Sequence, residues 1–121
     1  MEQTLLELTH YYVRAFDQRN LAELQYFFDE DANLIDPSIN VGERDSIIEY
    51  VKDIYAKNSY LNFLATNIFA DESQNFSVVE FILEIGSPEN YVTLRGTDHI
   101  YWNSEKKIEK LEAFLYAVEV E

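Results

Sequence analysis

The sequence predicts an α+β fold: three helices come first, and a long antiparallel meander follows whose curved sheet packs one face against them. Three observations predict it. Apolar residues recur at helical spacing in three segments before residue 58, and from residue 61 onward β-branched and aromatic residues dominate. Polar turn clusters then cut this second half into strands, giving helices first and strands afterwards. With 121 residues and no linker, repeat or low-complexity stretch, residues 1–121 read as a single domain with one core.

The first helix starts at Thr4-Leu5-Leu6-Glu7, which has the form of a capping box: hydroxyl and carboxylate satisfy free amides of the first turn. Leu5, Leu8, Tyr12, Ala15 and Phe16 then form one apolar stripe, which puts Tyr12 on the buried face and Tyr11 off it. Asn20 caps a shorter second helix carrying Leu21, Leu24, Phe27 and Phe28, and the acidic run Asp29-Glu30-Asp31 is read as its solvated end. Ala32 to Ile35 is a short strand stopped by Asp36-Pro37, because proline lacks a backbone donor and favours extended geometry in the residue before it. Ile47, Ile48, Val51, Ile54 and Tyr55 mark a third helix over 44–57. Strands are predicted over 61–70, 76–85, 91–102 and 107–120, joined by hairpin loops.

Composition excludes whole classes of function. Nine Lys and Arg stand against 23 Asp and Glu, a formal net charge of −14, so no basic face exists through which counterion release could drive nucleic-acid binding. Anionic membrane surfaces are disfavoured for the same reason, and no apolar run approaches the roughly 20 residues needed to span a bilayer. The absence of cysteine removes thiol nucleophiles, disulfides and zinc–thiolate sites, and with an acidic start unlike a signal peptide it suggests a cytoplasmic protein. Asp29-Glu30-Asp31 lacks the alternating ligands and central glycine of a calcium loop, so no metal is expected there.

Strand parity sorts the remaining polar residues. Glu80 and Glu84 share a strand face with Val78 and Ile82, opposite the cleaner apolar face of Val79, Phe81, Leu83 and Ile85, so they are expected on the solvent side or at a dimer rim. His99 has the opposite parity to Asp98 and belongs on the outer face, and His10 lies at the edge of its helix stripe. Along the last strand both faces become apolar: Leu111, Ala113, Leu115 and Ala117 on one, Phe114, Tyr116, Val118 and Val120 on the other. The first can cover the helices; the second needs another cover, which predicts a homodimer through the outer sheet face.

The order of elements, with Asp36-Pro37, Gly96-Thr97-Asp98 and Ile108-x-x-Leu111-x-Ala113-Phe114, resembles the SnoaL-like and ketosteroid-isomerase-like group of the nuclear transport factor 2-like superfamily. The resemblance runs from about Leu8 to Leu115 and implies a cone-shaped barrel of strongly curved mixed or antiparallel sheet with a pocket between sheet and helices. Laid on that pattern without a gap, Tyr12 falls on the family's helix tyrosine, Asp36 on its base and Asp98 on its second acid. The resemblance then implies a cofactor-free proton transfer on a small apolar carbonyl compound, as isomerase, cyclase or dehydratase: Asp36 moves the proton, and Tyr12 and a protonated Asp98 donate to the developing oxyanion. Phe16, Phe28, Tyr50, Gly96, Ile100, Trp102, Leu111 and Leu115 are the expected pocket lining. Two departures stand out: Phe28 occupies a position where some isomerases carry a tyrosine, and the loop after Pro37 is short, which leaves Tyr50 either a support for Tyr12 or an ordinary core residue.

Plainer readings remain beside these. Asp36 also suits a turn before proline, Tyr12 a core aromatic with one hydroxyl partner, and Asp98 a buried acid paired with Tyr12. The alternative to an enzyme is a non-catalytic module of the same fold that binds a hydrophobic ligand or serves dimerisation.

Overall fold

In the computed structural model, which describes residues 3–117, the order is α1 (Leu5–Asp17), α2 (Leu21–Phe27), β1 (Phe28–Asp36), β2 (Ile39–Gly42), α3 (Arg44–Lys57), β3 (Tyr60–Asp71), β4 (Phe76–Ser87), β5 (Asn90–Trp102) and β6 (Ile108–Ala117). The sheet runs β2-β1-β6-β5-β4-β3, antiparallel throughout except where β1 lies parallel to β6. This is the curved mixed sheet with three helices on one face that the sequence predicts. The part of the last strand assigned to Val118 and Val120 lies outside the described residues.

The helices form where the sequence supplies their ends. Thr4 and Glu7 make both hydrogen bonds of the capping box, Glu7 N to Thr4 Oγ1 at 3.1 Å and Thr4 N to Glu7 Oε1 at 2.9 Å. Asn20 caps α2 by accepting from Glu23 N at 3.1 Å. Helix α1 buries Leu5, Thr9, Tyr12 and Ala15, and α3 buries Ile47, Val51 and Tyr55, one stripe each turned toward the sheet. Three polar contacts tie the end of α1 to its neighbours: Phe63 N donates to Asp17 Oδ1 at 2.8 Å, Tyr55 OH to the Phe16 carbonyl at 2.6 Å, and the Arg19 guanidinium to the carbonyls of Tyr55 and Asn58.

Two elements differ from expectation. The acidic run Asp29-Glu30-Asp31 belongs to β1, because Phe28 leaves the helix to be buried beside Ile108. Between Phe28↔Ile108 and Asn33↔Lys110 the register shifts, so β1 carries surplus residues there and its charged side chains bulge toward solvent. The chain also does not stop at Pro37: it turns through Pro37-Ser38 and returns as β2, with Asp36 opposite Ile39. Four residues are too few to show a period, which hid this strand.

At the end of the core opposite β2, Thr9, Ser77 and Trp102 form a buried polar knot. The Thr9 hydroxyl contacts the Leu5 carbonyl at 2.6 Å and Ser77 Oγ at 2.8 Å, and Trp102 Nε1 donates to Ser77 Oγ at 2.9 Å. Removing the shared oxygen strands an indole N–H, so Ser77→Ala should lower unfolding free energy by about 1–3 kcal/mol in a urea melt.

Candidate active site

Between the sheet and the helices lies a half-open cavity of about 430 Å³, within the size range of small-ligand sites. Its apolar wall comes from α1 (Phe16), α3 (Val51, Ile54) and the inner sheet face (Leu34, Phe63, Phe81, Leu83, Leu94, Leu111). Tyr12, Asp36, Tyr50, Asn58 and Asp98 bring polar groups to it.

Register places the two acids. Ile35 is paired with Glu112 and Asp98 with Ala113, so Asp36 and Asp98 stand two strands apart, about 10 Å at the backbone by the usual strand spacing, with β6 running between their strands. Tyr12 reaches the same cavity from α1 and is buried, held edge-on against Phe27 at 6.0 Å and Phe28 at 6.2 Å.

The two acids have opposite environments. Asp98 is 6% exposed, and neither its carboxyl nor the Tyr12 hydroxyl has a hydrogen-bond partner among the described residues. Burial in apolar surroundings pushes the Asp98 carboxyl up to about 7. Burial also raises the Tyr12 phenol well above its ordinary range, with the nearby Asp98 and Tyr55 adding to the effect, so the hydroxyl keeps its proton. Asp36, by contrast, is half-buried and fully engaged: Oδ1 accepts from Ser38 N at 2.8 Å and from the Ser38 hydroxyl at 3.0 Å, and Oδ2 accepts from Tyr50 OH at 2.5 Å. The arrangement brings to one cavity a hydrogen-bonded carboxyl group, Asp36, and two groups, the Asp98 carboxyl and the Tyr12 hydroxyl, with no hydrogen-bond partner among the described residues.

Of the residues expected on the pocket wall, Phe16, Tyr50, Leu111 and Leu115 lie there. Phe28, Gly96, Ile100 and Trp102 do not. Phe28 backs the Tyr12 ring. Ile100 and Trp102 share the face of Asp98 but lie fully buried, with Trp102 in the Thr9–Ser77 knot. Gly96 is covered, because a Cβ there would run into the Phe114 carbonyl and come within 2.8 Å of the Phe81 ring. Tyr50 packs against the core from α3, and its hydroxyl donates to Asp36 and not to Tyr12. Asn58 and the Asp36 partner Ser38 were missed, since no local pattern marks them as cavity residues. Glu80, Glu84 and His99 are on the outer face, where Glu80 accepts from Asn67 Nδ2, Glu84 accepts from Tyr60 OH, and His99 packs beside Phe114. His10 is exposed.

No helix among the described residues is long and apolar enough to cross a membrane. No curated protein matches the sequence. Among solved structures, the chain is similar to a protein with a ketosteroid isomerase-like fold from Catenulispora acidiphila, crystallised with trimethylamine (TM-score 0.79, 14% identity, 95% of this chain and 88% of that one). It is similar to the epoxide hydrolase/cyclase-like enzyme SalBIII of pyran ring formation in the polyether salinomycin (TM-score 0.80, 16% identity, 93% and 90%). A protein of unknown function with a cystatin-like fold from Methylobium petroleophilum superposes with a TM-score of 0.81 at 12% identity, over 97% and 78%. At these identities the likeness is one of fold. The SnoaL-like domain profile matches residues 9–110, nearly the whole described chain, and the protein belongs to the SnoaL-like domain family.

Proposed function

We propose that the protein is a cofactor-free proton-transfer enzyme acting on a small apolar carbonyl compound. The observation that carries this is the pair of partnerless donors, Asp98 and Tyr12, on an otherwise apolar cavity that also holds a hydrogen-bonded carboxylate. A substrate carbonyl between Tyr12 and protonated Asp98 has its oxygen where both can donate, and its adjacent C–H turned toward Asp36. Asp36 takes the proton as the C–H electrons move to the oxygen, and the two donors stabilise the resulting enolate. Return of the proton to another carbon completes an isomerisation. Burial makes each donor worth more here than in water, because no solvent competes for the oxyanion.

The test is turnover of an activated enone together with binding of a neutral phenol, whose O–H and ring mimic the dienol. The proposal expects both, with the phenol competing against the enone. Tight phenol binding without turnover would favour the ligand-binding alternative, and neither would leave the cavity unused.

We further propose that a second copy of the chain covers the outer sheet face. Leu64, Phe69 and Phe114 are all between 45% and 57% exposed there, a costly display for a lone domain. Sedimentation should show a dimer for the native protein, and Phe114→Glu should convert it to a folded monomer. A native monomer at micromolar concentration would refute the assignment.

A further inference from the structure

Asp36 does not present two equivalent oxygens. Oδ1 is held by the amide and the hydroxyl of Ser38 in a turn that the Pro37 ring stiffens, and an amide can only donate. A proton placed on Oδ1 would face the Ser38 N–H head-on. Oδ2 has a different partner, the hydroxyl of Tyr50 at 2.5 Å, which reaches it from α3, 14 residues along the chain. A phenolic O–H can turn, so it donates while the carboxylate is charged and accepts once Oδ2 carries a proton. Burial and the neighbouring Asp36 raise the Tyr50 phenol well above its ordinary range, so it retains its proton throughout.

We propose that Tyr50 is the positioning residue of the site: it selects Oδ2 of Asp36 as the oxygen that carries the substrate proton, and it fixes that oxygen against α3. This rests on the reading of Asp36 as the base. The C–H bond of the substrate breaks, its proton goes to Asp36 Oδ2, its electron pair goes to the carbonyl oxygen beside Tyr12 and Asp98, and the Oδ2 proton later returns to carbon. The other titratable group bearing on Tyr50 is Asp53, three residues further along α3; Ile39, opposite Asp36 on β2, is apolar.

The experiment compares wild type with Tyr50→Phe by two readings, the split between kcat and KM in enone turnover and the hydroxyl-proton spectrum of the ligand-free protein. Plateau kcat should fall about tenfold while KM holds, because orientation is lost and binding is not. The Tyr50–Asp36 hydrogen bond should give wild type a strongly deshielded hydroxyl proton that is absent from both Tyr50→Phe and Asp36→Asn. Unchanged kcat in a folded Tyr50→Phe, or equal changes in kcat and KM, would overturn the proposal. Should wild type turn over no enone while the resonance is present and lost in both variants, the Tyr50 contact stands and the enzymatic reading falls. If Tyr50→Phe does not fold, wild type against Asp36→Asn supplies the second reading, and the absence of such a resonance in wild type overturns the proposal.

Discussion

Replacing Asp36 by asparagine is expected to lower enone turnover by about 10²–10⁴-fold, the usual contribution of a positioned general base, with phenol affinity nearly unchanged. The split follows from where each group acts. In the proposed reaction Asp36 would meet the substrate at a C–H bond, which offers almost no ground-state interaction, so its worth would appear in the transition state and in kcat. On the same proposal the phenol would be held by Tyr12 and Asp98, which the substitution does not touch. Asparagine keeps the shape of the side chain and an oxygen for the Ser38 donors, but its amide cannot take up a proton. Equal losses in turnover and affinity would show that Asp36 binds the ligand instead of acting on it.

Asp98→Asn is expected to stabilise the protein at pH 8 by up to about 4 kcal/mol and to make no difference near pH 4. The Asp98 carboxyl rises from 3.8 to about 7 on folding, with burial as the cause. Because the native state binds the proton more tightly, it holds more protons than the unfolded chain between those values, and stability falls as pH rises through that window. A rise of about three units, at about 1.36 kcal/mol each, sets the size of the loss. Asparagine is neutral at every pH and escapes it. The difference between wild-type and variant urea melts, taken from pH 4 to pH 8, isolates this group from the other acids, which titrate alike in both. The same substitution should remove enone turnover, since the amide is a weaker donor to an enolate than a carboxylic acid. Gain of stability with loss of activity marks a residue kept for chemistry.

Most of the architecture was legible because periodicity is a local property. Leu5, Tyr12 and Ala15 face inward together for reasons that seventeen residues contain, and alternation along β4 and β5 placed Glu80, Glu84 and His99 outward and Asp98 inward. Alternation gives a face, however, and a face is longer than a cavity. Ile100 and Trp102 share the side of Asp98, yet α1 lies over that part of the sheet and fills it through the Thr9–Ser77–Trp102 contacts, which only tertiary packing decides. Phe28 was misplaced for a related reason: an apolar residue at a helix-strand junction satisfies either pattern, and burial beside Ile108 settled it as strand. The partner of Tyr50 depends on which strand end the first half of α3 covers, and no spacing within the helix encodes that.

The most direct measurement is the carbon-13 titration of the Asp98 side-chain carboxyl in the ligand-free protein, assigned by its loss in Asp98→Asn. The structure predicts a midpoint near 7, displaced upward when a phenol occupies the cavity. A midpoint near 4, unmoved by the phenol, would mean that the group is ionised and solvated at neutral pH, and a charged carboxylate there could not donate to an oxyanion.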